Sequence, residues 1–175
     1  MIQTTRLLLI PATADHVRAE IHDRQAFATL LNASVPDNWP PENVADALPL
    51  FLSWLEAAPD DVGWFGWYAV TRAADAPRTV IGGGGFVGPA EDGQVMLGYS
   101  VLPQFQRQGF ATELADGLIR WAFTSSAVQR IVAETEWENP ASVRVLEKLG
   151  FTMAGAAATD AEHESGGMRF ELHRA

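Results

Sequence analysis

Between Val101 and Phe123 the chain reads VLPQFQRQGFATELADGLIRWAF: an apolar segment, a turn bearing glutamine and arginine, then a helical pattern. Gln106, Arg107, Gln108, Gly109, Phe110 and Ala111 fill the turn and open the helix. The first N–H groups of an α-helix have no partner within it, and the aligned peptide dipoles add partial positive charge there. Gly109 and Ala111 carry almost no side chain, so a diphosphate could reach those amides, with Arg107 as a charged donor beside them. An ordinary polar connection between a strand and a helix would use similar letters, so both readings stand on this stretch alone.

A second glycine-rich stretch, Gly83-Gly84-Gly85-Phe86-Val87-Gly88, spells the G-x-G-x-x-G of dinucleotide-binding proteins. That chemistry requires a helix to open at the glycines. Here Pro89 and Glu91-Asp92-Gly93 make a turn instead, which excludes it. Glycines inside a strand serve a bulge or a close approach, including that of a ligand's chain. The chain has no cysteine, which excludes disulfides, thiolate metal sites and a cysteine nucleophile. Its histidines, His16, His22, His163 and His173, are scattered, and no metal site is expected.

The elements that must position these residues are legible from periodicity. Thr5 to Ile10 reads as an opening strand, and Thr13 or Asp15 starts a helix running through the twenties. The segment Ser34 to Asp61 is rich in proline and tryptophan, with a helix from about Glu42 to Ala57. GWYAVTR and RTVIGGGGFVG are strand-like around an AADAP hairpin loop, and QVMLGYSV forms the next strand. Ala111, Leu114, Ala115, Leu118, Trp121 and Ala122 make one apolar helical stripe. RIVAETEW returns to strand alternation, and Asn139-Pro140 opens a second helix that Gly150 ends. FTMAG and MRFELHR close the chain as strands. The order predicts an α+β fold: a mixed, mostly antiparallel central sheet flanked by helices, in a single domain over residues 1–175.

Q-x-x-G-x-A after a strand (Gln106, Gly109, Ala111) resembles the acetyl-CoA motif of the GNAT N-acetyltransferases. Asn139-Pro140-Ala141-Ser142 followed by VRVLEKLGF, together with the opening TTRLLLIP, resembles the branch that includes the ribosomal-protein-alanine N-acetyltransferases. The resemblance spans nearly the whole chain, with the elements in the family's order. It implies acetyl-CoA as co-substrate, with Gln106 through Thr112 (Arg107, Gln108, Gly109, Phe110 and Ala111 between them) wrapping the diphosphate. It places Val101 where a strand splays from its neighbour and bonds the pantetheine or the acetyl carbonyl. Asn139 would contact the pantetheine arm or cap the following helix, and Ser142 would assist the departing thiolate. The bland readings remain beside these: Asn139 before Pro140 is a good N-cap, and Ser142 could satisfy a local backbone group.

Acetyl transfer from a thioester to an amine needs a deprotonated amine, alignment, a stabilised oxyanion and a leaving thiolate. A backbone N–H near Val101 is the expected oxyanion donor, and transfer is direct because no cysteine exists to carry the group. The general base is less plain. Relatives carry an acid at the place held here by Met96, and Tyr68 and Tyr99 are the only tyrosines, with Tyr99 expected to pack into the sheet. Glu134 and Glu136 share one strand face, and Glu136, near its end, is the preferred base. Asp160, Glu162 and Glu164 are its rivals. Trp67 and Trp121 read as core, whereas Trp39 and Trp54 could line an acceptor pocket.

With 12 basic and 22 acidic residues the formal net charge is −10, which argues against nucleic acid; it would draw in a cationic substrate, or serve solubility alone. No apolar run approaches a membrane span, and the short run Leu7 to Ile10 is cut by Pro11, so a cytoplasmic chain is expected. Asn32-Ala33-Ser34 matches the glycosylation pattern by chance in that setting. The function expected is an acetyl-CoA-dependent acyltransferase acting on a protein or peptide N-terminal amine. The alternatives are a small-molecule amine acetyltransferase and a non-catalytic acyl-CoA-binding module, as a monomer or a homodimer.

Overall fold

A computed structural model describes residues 1–72, 77–157 and 167–174, apart from the side chains of Glu42 and Asn43. Residues 73–76 of the expected hairpin loop, and Asp160, Glu162, His163 and Glu164, lie outside the described residues. The strands β1 (Ile2–Gln3), β2 (Leu7–Pro11), β3 (Gly66–Thr71), β4 (Val80–Phe86), β5 (Gln94–Val101), β6 (Arg130–Glu136), β7 (Thr152–Ala156) and β8 (Gly167–His173) form one sheet. Its order is β1-β2-β3-β4-β5-β6-β8-β7. Every neighbouring pair is antiparallel except β5 and β6, which run parallel.

The helices are α1 (Ala14–His22), α2 (Arg24–Leu31), α3 (Glu42–Ala45), α4 (Leu48–Ala57), α5 (Phe110–Ala122) and α6 (Pro140–Lys148). Two boundaries correct the expectation from periodicity. The single helix through the twenties is broken at Asp23, whose backbone is extended and whose carboxylate accepts from the Gln25 and Ala26 amides, capping α2. The helix expected from Glu42 to Ala57 is likewise two, because α4 restarts at Leu48 with Pro49 in its first turn, where the missing N–H is harmless. The opening strand begins at Leu7 rather than Thr5, since Thr4 closes a tight turn after β1: its amide donates to the Leu7 carbonyl and its hydroxyl accepts the Leu7 amide.

The sheet buries both faces. On one, α5 sets Leu114, Ala115, Leu118 and Ala122 against Leu7, Leu9, Trp67 and Leu97, all within the core. On the other, α1, α2 and α4 bring Val17, Phe27, Leu31 and Leu55 onto Leu8, Tyr68 and Val70. Each such aliphatic side chain contributes roughly 1.5–3 kcal/mol on burial. Tyr68, opposite Gly83, therefore faces α1, while Trp67, opposite Gly84 and through it Tyr99, faces α5. Among the described residues no helix is long and apolar enough to cross a membrane.

The feature that makes a site is the splaying of β5 from β6. They pair only from Gln94 to Met96, opposite Arg130 to Val132. From Leu97 to Val101, β5 is bonded to β4 alone, and a gap opens toward α5 and α6.

Candidate active site

A cavity of about 510 Å³ occupies the gap. Its floor is made by the connection from β5 to α5. After a 3-10 turn at Pro103–Phe105, Arg107 (φ 59°) and Gly109 (φ 82°) take left-handed conformations, and α5 starts with no side chain capping it. Gly109 is needed there, since its positive φ is a region L side chains rarely adopt. The free amides of the first turn of α5 are thus presented to the cavity, which Ala111 and Thr112 also line. Arg107, Arg144 and Lys148 line it too, three of the chain's 12 basic residues beside one helix start. That donor set fits a diphosphate carrying a further phosphate.

Val101 sits at the upper edge. Leu102 donates its amide to the Ile81 carbonyl at 2.8 Å, so strand alternation turns the N–H and C=O of Val101 the other way, into the gap. The Val101 carbonyl is taken by the Gln106 side-chain amide at 2.9 Å. The N–H is left facing the gap.

Tyr99 and Ser142 join β5 to α6 across the gap. The two hydroxyl oxygens are 3.1 Å apart, and the tyrosine also donates to the Ser142 carbonyl at 3.4 Å. Burial raises the Tyr99 phenol above its ordinary range, with the bond to Ser142 opposing, so the group keeps its proton at neutral pH. Asn139 caps α6 by accepting the Ser142 amide at 3.1 Å, which fixes where that serine stands.

On the opposite face of the sheet lies a second cavity, of about 270 Å³, which touches the first at Tyr99 and Ser100. Its walls are Trp39, Leu48, Phe51, Phe65 and Tyr68, and its floor is the glycine run Gly83 to Gly85. The floor has to be glycine: a Cβ at Gly85 would lie 1.6 Å from the Phe65 carbonyl oxygen. The glycines that fail as a dinucleotide fingerprint therefore leave bare backbone under a ligand-sized space.

One carboxylate enters this apolar space. Glu20 accepts the Tyr68 hydroxyl at 2.6 Å on one oxygen and the Trp39 indole N–H at 2.8 Å on the other. Burial pushes its pKa up to about 7, against the lowering effect of those two bonds. Burial and the adjacent Glu20 carboxylate also hold the Tyr68 phenol well above its usual range. His16, one turn before Glu20 on α1, packs against the Tyr68 ring with centroids 5.8 Å apart, and burial lowers its pKa.

Of the residues singled out from sequence, Val101, Gln106, Arg107, Gly109, Ala111, Thr112, Asn139 and Ser142 line the larger cavity. Gln108 and Phe110 do not. The Gln108 carbonyl accepts Arg6 at 2.9 Å, its side chain bonds the Gln104 carbonyl, and the Phe110 ring lies under the Arg6 guanidinium. Glu136 lines neither cavity: it is exposed at the end of β6, opposite Gly167. Glu134 bonds Arg169 at 3.2 Å. Trp39 lines the apolar cavity, while Trp54 packs at a tilt against Phe51 and Phe65 behind its wall. Tyr99 packs its ring as expected, but its hydroxyl joins the site. Sequence reading missed Glu20, although its spacing from the buried Val17 puts it on the inner face of α1. Arg144 and Lys148 were also missed, and they sit one turn apart on α6.

The sequence model of the family described as Acetyltransferase (GNAT) domain matches residues 6–152. An N-acetyltransferase of Bacillus subtilis (strain 168) called YjdG, itself uncharacterised, is 30% identical over 156 residues, covering 87% of this chain and 90% of its own. The ribosomal-protein-S5-alanine acetyltransferase of Vibrio fischeri superimposes with a TM-score of 0.65 at 18% identity, over 98% of this chain and 94% of that one. A chimeric spermidine N-acetyltransferase from Vibrio cholerae gives 0.65 at 16% identity, over 97% and 96%.

Proposed function

Because this chain belongs to the GNAT acetyltransferases, a family that uses acetyl-CoA as co-substrate, we propose that it acetylates the primary amine of a small, largely apolar molecule held in the Trp39–Glu20 cavity. Residues 1–175 act as one acetyltransferase unit in this reading. The observation that carries it is the pair of cavities meeting at Tyr99 and Ser100: a basic one open to a phosphorylated carrier, and an apolar one with a single carboxylate. A cavity of about 270 Å³ is near the small end of ligand sites, which suits one small molecule.

Acetyl-CoA supplies the acetyl thioester, and its diphosphate is matched by the α5 amides, Arg107, Arg144 and Lys148. The Val101 N–H supports the charge that develops on the carbonyl oxygen. Tyr99, protonated and bonded to Ser142, delivers a proton to the departing sulfur. The walls exclude water and align the amine, which can be worth several kcal/mol of the barrier.

Polyamines suit this cavity poorly. Each further ammonium would be buried without a partner, since Glu20 is the only carboxylate among the described residues lining it. A protein N-terminal amine, the acceptor expected from the branch resemblance, would enter only by its first residue.

The test is an acceptor screen with acetyl-CoA, following released CoA with a thiol reagent; the chain itself has no cysteine to interfere. Arylalkyl and branched alkyl amines are expected to give kcat/KM at least about 10-fold above spermidine and above peptides with N-terminal alanine or serine. Preference for a peptide or a polyamine would overturn the small-molecule reading.

A further inference from the structure

The acceptor amine reaches neutral water as an ammonium ion and must lose a proton before it attacks. Neither Met96 nor Glu136 is placed to take it: Met96 has no basic group, and Glu136 is exposed and lines neither cavity. We propose that Glu20 is the group that accepts this proton, directly or through one water, with Tyr68 and Trp39 as the positioning residues that hold its carboxylate. The inference rests on the apolar cavity being the acceptor site.

Three observations carry it. Glu20 is reached from the same cavity as Tyr99 and Ser100, where the cavities meet. Each of its oxygens accepts one bond from the protein, from Trp39 and from Tyr68, so each retains lone-pair capacity for an ammonium or a water. No cation pairs with it among the described residues. Around it, β3 contributes Tyr68, the segment after α2 contributes Trp39, and its own helix contributes His16, which packs on Tyr68. The charges of the packed helices are spent elsewhere: Arg18 of α1 bonds Glu56 of α4, and Arg24 of α2 bonds the Val35 carbonyl. An uncompensated carboxylate in apolar surroundings draws in a cation and then shares its proton readily. Its rise from 4.5 to about 7 brings it between two and three powers of ten nearer an alkylammonium in basicity.

The step balances. The ammonium gives one proton to Glu20, and the freed nitrogen lone pair forms the N–C bond to the acetyl carbon. The C–S electron pair leaves with sulfur, which takes a proton by way of Tyr99 as nitrogen loses its second. Glu20 then releases its proton to water, and the products are the amide, free CoA and one proton.

The test is kcat/KM against pH, from about 5.5 to 9, for wild type, Glu20→Gln and Tyr68→Phe, on whichever amine the wild type turns over fastest. Wild type is expected to gain activity through about pH 7. Glu20→Gln keeps the shape of the side chain and one oxygen to accept the Trp39 N–H, while its NH2 group donates to the Tyr68 hydroxyl, which can accept as well as donate; it is expected to lose that limb and about 100-fold in kcat/KM, while CoA raises its melting temperature as in wild type. Tyr68→Phe removes a donor that favours the charged carboxylate, so its limb moves to higher pH. Retention of the limb in Glu20→Gln, or a loss of activity uniform across pH, would overturn the proposal by leaving Glu20 a structural role only. Failure of the small-molecule reading shows separately, as a wild-type preference for peptides or polyamines, and the same variants decide the role of Glu20 on that acceptor.

Discussion

The Tyr99 hydroxyl stands 3.1 Å from the Ser142 hydroxyl, so a residue of β5 and a residue in the first turn of α6 meet across the gap that splits the sheet. Neither could be paired from sequence, because 43 positions separate them. The sheet's own divergence brings them together.

Tyr99→Phe is therefore expected to lower kcat about 10- to 100-fold with little change in KM for acetyl-CoA. Ser142→Ala should cost less, and the double variant should be no worse than Tyr99→Phe alone, since the two act as one unit. Steady-state kinetics of the three variants check this, and an additive double variant would separate their roles.

Glu20 makes stability depend on pH in the unusual direction. Its folded pKa, about 7, lies above the ordinary glutamate value of 4.5, so between these values the native chain binds more protons than the unfolded one. Its favourable contribution is fully present below about 4.5 and is lost as pH rises through about 7. The span is on the order of 3 kcal/mol. Urea denaturation at pH 5 and pH 8 should show Glu20→Gln gaining on wild type by up to that amount at the higher pH. Equal pH dependence in the two proteins would mean that Glu20 ionises normally.

The turn from Gln106 to Thr112 was legible because its chemistry is local: a glycine, a small residue and a helix start are adjacent letters. So was the succession of strands and helices around it, since strands alternate and helices show an apolar stripe. The apolar cavity was not legible for the opposite reason. Glu20, Trp39, Tyr68 and Gly85 come from four separate segments, and only packing brings them to one cavity. Glu20 did carry a signal, a carboxylate three residues from the buried Val17 on α1, but nothing in the letters alone shows that this face meets Trp39 and Tyr68. The helix boundaries at Asp23 and Asp46 were obscured because the apolar pattern continues on either side of them.

Arg144 and Lys148 lie one helical turn apart and line the cavity that the α5 amides close. Arg144→Ala and Lys148→Ala are each expected to weaken CoA binding about 10-fold, the scale of one charge-assisted bond. The loss should shrink at high salt, because exposed charges are screened there. Isothermal titration with CoA at low and high salt reads both effects, and kcat at saturating acetyl-CoA should stay near the wild-type value.

Glu113 ties the start of the chain to the turn from Gln106 to Thr112. It accepts the Thr4 hydroxyl and the Arg6 amide, each at 2.6 Å, and the Arg6 guanidinium at 2.7 Å. Arg6 in turn bonds the Gln108 carbonyl at 2.9 Å and lies 4.3 Å over the Phe110 ring. Partial burial raises the Glu113 pKa, but the bonds from Thr4 and Arg6 outweigh it and hold the carboxyl below its usual range. Its contribution is thus present above the unfolded value and is lost only as pH falls through the lowered one. Glu113→Ala is expected to destabilise the fold by roughly 1–3 kcal/mol, the cost of stranding its donors. It should also weaken CoA binding several-fold without touching kcat, because the loop that presents the Gly109 to Thr112 backbone loses its anchor. Denaturation and CoA titration on the same variant test both, and a stability loss with unchanged CoA affinity would show that the clamp serves the fold alone.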